Sequence, residues 1–335
     1  MGRARYHAVT PSPNVRSHIK ITTPMLQPRP ISSVPSNFQE FTREISEGLA
    51  ALYGEKASQD YLRKAHASFQ ATLEHPFVTA YSVQDGHRAV GLLFTVVKDP
   101  VGRIPFFHVL QSHAETEAPR LLTTVAVNEL RGRSCRGIVS ECIPMGPAAF
   151  GAPFVRLGFR KVHRLLLDAP IMSEIPLPCS TEGSRPSTGD DRNAIGGILA
   201  DAYRTHPDHP IHPDLHDARR AAQFVNETAQ GYYGHTRPEY LRVFEHQGAV
   251  AGVILGCEVA PYVGFVLQVT VRPEFQNQGI GSRLLVDLLR EFSRRRMRRV
   301  ALCVTATNPA RRLYERIGFR PLREFDAYFW YPENR

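Results

Sequence analysis

The hydrophobic and polar positions of this chain fall into two series of helices and strands with the same order. In each series two helical segments precede a hairpin, a strand, a helix, a strand, a short helix and a final strand, judged by spacings of 3.6 and 2 residues. The first series occupies residues 41–53, 61–73, 78–83, 89–97, 105–110, 118–130, 137–142, 154–159 and 162–167, and the second occupies residues 194–203, 217–230, 240–244, 249–259, 263–271, 281–295, 299–304, 309–317 and 325–331.

The repeated order predicts two related domains in tandem. We expect the α/β class with a mixed sheet, in which each domain has a mostly antiparallel central sheet flanked by helices. Residues 1–37 hold six Pro and no acidic residue, which predicts a flexible basic tail. A Pro-rich stretch over 169–191 is the predicted linker between a first domain at 38–168 and a second at 192–335.

Composition excludes several classes of protein. The 335 residues carry five Cys with no C-x-x-C pair, so neither a disulfide framework nor a Cys-rich zinc site is expected, and a cytoplasmic location is the default expectation. Apolar runs such as 248–256 are too short to cross a membrane. A net charge of +9 and the run Arg294–Arg299 permit nucleic-acid binding, but no interleaved aromatic residues support it, so it is not expected.

The segment 269–285 carries the clearest chemical signal. A β-rich run leads through a loop with Gly279 and Gly281 into an amphipathic helix. The first amides of such a helix have no intrahelical acceptor and lie at its positive end, so they bind phosphate. Glycines let the anion approach the backbone. Gln276 and Ser282 add polar side chains at the rim, whereas the fingerprints of dinucleotide and P-loop sites are absent.

These residues resemble a known signature. Gln276-x-x-Gly279-x-Gly281 after Val271-Arg272-Pro273 is similar to the Q/R-x-x-G-x-G/A motif of the GNAT superfamily of acyl-CoA N-acyltransferases. The segment 308–319 resembles the second cofactor segment of that family. The resemblance implies that acetyl-CoA binds here as acyl donor, with no metal. The cofactor-binding residues implied together by motif and resemblance are Val269, Val271, Gln276, Gln278, Gly279, Ile280, Gly281, Ser282, Asn308 and Arg311.

The resemblance also implies roles in catalysis. Tyr314 stands where the family commonly has the acid that protonates the leaving thiolate, and a phenol suits that step. The general base is less defined, because residues 265–270 lack the Glu that some members carry. Glu258 is the candidate for a water-mediated base, with a solvated hairpin residue as the other interpretation. Cys257 and Cys303 are interpreted as buried small side chains rather than as nucleophiles.

A loop rich in His and Asp follows the first helix of the second series. Residues 206–217 hold four His and three Asp, but the prolines among them oppose a metal cage, and a polar loop is the favoured interpretation. In the GNAT fold this region covers the acceptor pocket, so Asp208, Asp214 and His209 are candidates to attract an amine.

The first domain is interpreted as a degenerate copy. Its equivalent loop, residues 111–119, has no Gly and carries Glu115 and Glu117, whose charges repel a diphosphate. In its second motif Phe154 is aligned with Leu313, and Val155 with Tyr314.

The sequence therefore predicts an N-acetyltransferase with an active C-terminal domain that moves an acyl group from acetyl-CoA to a primary amine. The acceptor is expected to be a small molecule or a peptide. A non-catalytic acyl-CoA-binding sensor or scaffold protein is the alternative. The identity of the acceptor and the oligomeric state stay open.

Overall fold

The computed structural model describes residues 26–98, 101–143, 151–171 and 182–332 of the chain. The first half begins with an edge strand and two helices, which are followed by the predicted hairpin. Its elements are β1 Gln27–Ile31, α1 Phe38–Tyr53, α2 Glu55–Leu73, β2 Val78–Asp85, β3 Arg88–Lys98, β4 Val101–Val109, α3 Ala118–Gly132, β5 Gly137–Ser140, α4 Gly151–Arg156 and β6 Arg160–Pro170.

The second half repeats this order, as predicted. Its elements are β7 Ser184–Pro186, α5 Arg192–Tyr203, α6 Ala218–Ala229, β8 Leu241–His246, β9 Ala249–Ala260, β10 Val263–Val271, α7 Ile280–Arg294, β11 Arg299–Thr305, α8 Arg311–Ile317 and β12 Arg320–Trp330. The bounds of β10 match the prediction residue for residue, because alternation and flanking turn residues define both of its ends.

The strands of the described residues join one twelve-stranded sheet in the order β1-β2-β3-β4-β5-β12-β6-β11-β10-β9-β8-β7. The mixed α/β class and the two related halves are confirmed. The final strands are exchanged, however: β6 of the first half pairs with β11, and β12 of the second half pairs with β5. The exchanged strands also pair with each other in the middle of the sheet. Each half therefore borrows its last strand from the other half.

The prediction of an unstructured tail over 1–37 is wrong for residues 27–31, which form β1 against β2. Pro28 and Pro30 fit this edge position. Alternate residues of a strand direct their backbone nitrogens to the same side, and on the outer side of an edge strand no N–H is needed for a hydrogen bond to a neighbouring strand. Within the predicted linker, residues 184–186 form β7 at the other edge of the sheet. Residues 1–25 and 172–181 lie outside the described residues.

Helix α7 packs closely on the second half of the sheet. Gly252, Gly256 and Gly264 leave room for it, since a Cβ on any of them would lie 2.7–3.2 Å from the nearest side-chain carbons of α7. Leu288 and Phe292 occupy this space and are fully buried. This close contact positions the N-terminus of α7 at the end of β10.

Candidate functional site

A cleft opens between β10 and β11. The two strands pair in parallel only from Val263 opposite Arg299 to Val266 opposite Leu302. Beyond this point β10 has an irregularity against β9, where Val266 faces Gly256 and Gln268 faces Leu255, so that Leu267 is an extra residue. A bulge bends its strand. The backbone of β10 after the bulge therefore has no β11 partner on that side.

The predicted backbone amides of Val269 and Val271 face this cleft. The amide of Arg272 donates to the carbonyl of Ala251 at 2.9 Å, so it points toward β9. Backbone groups alternate sides along a strand, and the amides of residues 269 and 271 consequently point away from β9. They lie where a thioester carbonyl entering the cleft would accept a hydrogen bond.

The glycine loop has the shape that anion binding requires. Gly279 is the N-cap of α7 and adopts the left-handed conformation, with φ 80° and ψ 0°, and Asn277 has φ 61°. No side chain of the described residues caps the first turn of α7. The loop is held from outside by the side-chain amides of Gln276 and Gln278, which donate to the carbonyls of Val271 at 3.1 Å and Glu274 at 3.3 Å.

Three predicted segments converge on Gly281. A Cβ at this position would lie 3.4 Å from Leu313 of α8 and 3.7 Å from Val271 of β10, so loop, strand and second motif are neighbours. Ile280 packs its side chain into the core, and only its backbone is available to a ligand. The half-exposed Arg311 is paired with Glu315 at 2.6 Å. Ser282 is partly exposed in the first turn of α7.

Asn308 and Tyr314 lie beneath the cleft. Asn308 is 7% exposed, and its Oδ1 accepts a bond from the amide of Ala310 at 2.9 Å, which fixes the turn before α8. Tyr314 is 8% exposed, and within the described residues its hydroxyl has no hydrogen-bond partner. Burial, reinforced by the charge of Asp208 and opposed by Arg164, raises the pKa of Tyr314 well above its ordinary value. The phenol therefore holds its proton at working pH.

Glu258 is not brought to this site. It lies near the far end of β9, opposite Gly264, which is five residues before Val269 and hence roughly 15 Å from it along the strand. Its carboxylate accepts hydrogen bonds from the Tyr240 hydroxyl at 2.7 Å and Arg237 at 3.4 Å. This placement corresponds to a structural carboxylate and argues against the predicted water-mediated base.

Three residues that the sequence interpretation missed border the cleft. Tyr203, at the end of α5, donates to Gln268 on β10 at 3.0 Å. Gln268 in turn donates to Thr270 at 2.8 Å. His206 stacks on Tyr203 with ring centroids 4.6 Å apart and lies 3.4 Å from Asn308. The position of His206 directly after a predicted helix in an acceptor-covering loop was the only signal in the sequence.

The two acidic residues of that loop that were candidates to attract an amine face protein cations rather than the cleft. Asp208 pairs with Arg164 at 2.7 Å and Asp214 with Arg103 at 2.6 Å, both arginines coming from the first half. No group of residues suited to hold a metal ion occurs in the described ranges. Burial raises the pKa of the Cys257 and Cys303 thiols to about 12, which disfavours an acyl-enzyme.

The equivalent position in the first half lacks the loop geometry. Counted from the matching 3₁₀ turns at 111–113 and 273–275, Glu117 stands in the place of Gly279 and Pro119 in that of Gly281. Glu117 has φ −71°, not the left-handed value, and Pro119 has no N–H to offer. The Thr116 hydroxyl already accepts from the Ala118 amide at 3.2 Å. This segment therefore offers an anion few free backbone N–H donors.

The alignment of the second motifs needs a correction of one residue. The amide of Phe159 donates to the carbonyl of Phe154, and that of Phe319 to Tyr314, each at 3.1 Å. Both pairs flank a glycine with positive φ, at positions 158 and 318. Phe154, not Val155, is therefore the counterpart of Tyr314, and the first half has a phenyl ring where the second half has a phenol.

Comparison with known proteins agrees with this geometry. The profile of the "Acetyltransferase (GNAT) family" matches residues 200–319, which include the glycine loop, Asn308 and Tyr314. Residues 200–319 are therefore a GNAT domain. No curated protein matches the chain.

Solved structures with the same fold are distant in sequence. A GCN5-related N-acetyltransferase from Sphaerobacter thermophilus matches with 16% identity and a TM-score of 0.66, over 91% of this chain and 95% of that one. A tandem GNAT protein from the clavulanic acid biosynthesis pathway matches with 16% identity and a TM-score of 0.59, over 93% and 100%.

A glucosamine N-acetyltransferase region of a fungal multi-domain β-N-acetylglucosaminidase matches with 13% identity and a TM-score of 0.63, over 92% of this chain and 38% of that one. These likenesses establish the tandem GNAT fold.

Among the described residues, no helix combines the length and apolar character needed to cross a membrane.

Proposed function

We propose that the second half of this GNAT protein is an acetyl-CoA-dependent N-acetyltransferase that acts on a primary amine of a small molecule or peptide. One observation carries this proposal: the left-handed Gly279, the uncapped start of α7 and the open side of β10 meet at one end of the cleft. An acyl-CoA fits these three features in order, since its diphosphate needs free amides and its thioester needs a polarising donor.

In the proposed complex the amides of residues 279–282 bind the diphosphate of CoA. Gln276 and Gln278 hold the loop through their bonds to backbone carbonyls rather than by direct contact with the ligand. The pantetheine arm runs along the open edge of β10 toward the bulge. The amide of Val269 then donates to the thioester oxygen, where negative charge develops during the reaction.

The reaction is proposed to be a direct transfer. The neutral amine attacks the thioester carbon, a C–N bond forms, and the carbonyl oxygen becomes an oxyanion stabilised by the Val269 amide. The C–S bond then breaks, and the CoA sulfur takes a proton from the hydroxyl of Tyr314, which burial keeps protonated. The tyrosinate regains its proton as the amide product loses the extra proton of the former amine.

The first half is proposed to bind no cofactor. Its Glu117 and Pro119 remove the loop conformation and one donor, and its Phe154 offers no proton. Its role in the protein is then structural, through β6 and through the residues that it places beside the second half.

The test is release of CoA thiol from acetyl-CoA in the presence of a panel of amines, including amino sugars, polyamines and peptides. Wild-type protein is expected to release thiol with at least one amine, and the Gly281→Trp variant with none. Gly132→Trp, at the end of α3, is the matched control, because a Cβ added there would meet no atom within 4 Å beyond its chain neighbours and its own helix backbone. Binding of acetyl-CoA without turnover on every amine would instead support a sensor or scaffold.

A further inference from the structure

An arginine of the first half lies inside the second half, beside the proposed site. Arg164 lies on the exchanged strand β6 and is only 3% exposed. Its guanidinium contacts Thr305 Oγ1 at 3.1 Å and Asp208 Oδ2 at 2.7 Å, both of the second half, and Glu141 Oε1 at 2.8 Å, of the first half. A planar guanidinium is suited to hold several acceptors in fixed directions.

Through Asp208 this arginine fixes the loop that covers the cleft. The carbonyl of Asp208 accepts from the amides of Ile211 and His212, each at 3.0 Å, so its position defines the turn. Its own amide donates to His206 Nδ1 at 3.1 Å. A displacement of Asp208 would therefore displace the ring of His206.

The bond to Nδ1 determines which nitrogen of His206 carries the proton. Burial, reinforced by His212 and Arg164 and opposed by Asp208, lowers the pKa of His206, so the ring is neutral at pH 7. A neutral imidazole has one N–H, and because Nδ1 accepts, Nε2 is the donor. Nε2 lies 3.4 Å from Asn308 Nδ2, which is itself a donor and does not accept this proton.

On the basis of the function proposed above, we propose that Arg164 is a positioning residue for the acyl-transfer site of the second half. It holds Asp208, and through it directs the Nε2–H of His206 to the space between Asn308 and β10. An acceptor or a thioester group there accepts this hydrogen bond. The second half without β6 would lack Arg164 and would leave Asp208 buried without its partner, which is unfavourable.

The experiment uses the full chain and compares Arg164→Lys and Arg164→Met with Arg299→Met. Arg299 is the control because it also joins β11 to β6, through Asp168, but lies about 20 Å from Thr305 along the strand. Acetyl-CoA affinity is measured by calorimetry, kcat and KM by thiol release, and the proton on His206 Nε2 by ¹⁵N–¹H spectra assigned with His206→Gln.

Both Arg164 variants are expected to keep acetyl-CoA affinity within about threefold of wild type and to lose about 100-fold in kcat/KM for the acceptor, as for a misplaced catalytic geometry. They should also lose the single Nε2–H signal of His206. Arg299→Met should keep both the wild-type kcat/KM and the His206 signal. If the Arg164 variants do not fold, Asp208→Asn serves instead, because it preserves shape, and it should reduce kcat/KM about tenfold with affinity retained.

The proposal is overturned if Arg164→Lys and Asp208→Asn keep wild-type kcat/KM and the wild-type His206 signal. Equal losses in Arg164→Lys and Arg299→Met would also overturn it, since Arg164 would then only stabilise the fold. If the wild-type protein acetylates no amine, the proposed function fails by itself, and the His206 signal in the Arg164 variants still decides the positioning role.

Discussion

Replacing Gly279 by alanine tests the glycine loop with a control inside the same half. Gly279 has φ 80° and Gly248, in the β8–β9 turn, has φ 78°, and a Cβ on either would meet no atom within 4 Å beyond its chain neighbours. An alanine in the left-handed region costs about 1–2 kcal/mol at either position. Gly279→Ala and Gly248→Ala should therefore lower the melting temperature by similar amounts of a few degrees.

Only the change at Gly279 should affect the cofactor. The new methyl group stands beside the first amides of α7 and removes one hydrogen bond to a charged phosphate, worth about 1.5–3 kcal/mol. Affinity for acetyl-CoA should then fall about 10- to 150-fold, since about 1.4 kcal/mol corresponds to a factor of ten. Calorimetric titration of both variants measures this difference. Equal affinities in Gly279→Ala and Gly248→Ala would refute the proposed role of the loop.

Tyr314, the exchanged strand β6 and Asp191 each offer a further test. Tyr314→Phe should lower kcat about 100- to 10,000-fold and leave acetyl-CoA affinity nearly unchanged, and a wild-type kcat where chemistry limits the rate would make Tyr314 a packing residue. A fragment of residues 190–335 should be insoluble because β11 and β12 lose β6 between them, and a soluble, active fragment would contradict this. The hydrogen bonds from the Arg185 guanidinium lower the pKa of Asp191 to about 2. Because the ionised carboxylate is thus stabilised in the folded protein, Asp191→Asn should destabilise the protein at pH 7. In denaturant titrations that difference should shrink as pH falls from about 4 toward 2, where wild-type Asp191 also becomes neutral, and a pH-independent difference would contradict it.

The local pattern of hydrophobic and polar residues was sufficient to predict most helices and strands of this fold. The alternation in 263–271 and the apolar stripe of α7 gave their bounds within a residue, because each is defined by its own residues and the turns beside them. The glycine loop was recognisable for the same reason, since left-handed backbone and close approach both favour glycine.

The strand exchange, the position of Glu258 and the roles of His206 and Arg164 could not be predicted, because each depends on contacts with residues far away in the chain. Strands β6 and β12 each look like the last strand of their own half, and nothing in their periodicity identifies the neighbour across the sheet. Glu258 was a plausible base until its register opposite Gly264 was known. The contacts of His206 with Asn308 and of Arg164 with Asp208 join residues more than forty positions apart, which local periodicity does not reveal.

β1 was missed for another reason. Its two prolines weaken any interpretation of 27–31 as a strand, and an edge position removes that objection only once the sheet is known. The register of Phe154 against Tyr314 is defined by the hydrogen bonds that end α4 and α8, and a short sequence motif does not reveal these bonds.

We propose that one half of this tandem protein binds acyl-CoA and that the other half does not. Calorimetric titration of the full chain with acetyl-CoA tests it most directly. The structure predicts one molecule bound per chain, with binding abolished in Gly281→Trp and preserved in Gly132→Trp. Two molecules bound per chain, or binding that survives in Gly281→Trp, would contradict the claim.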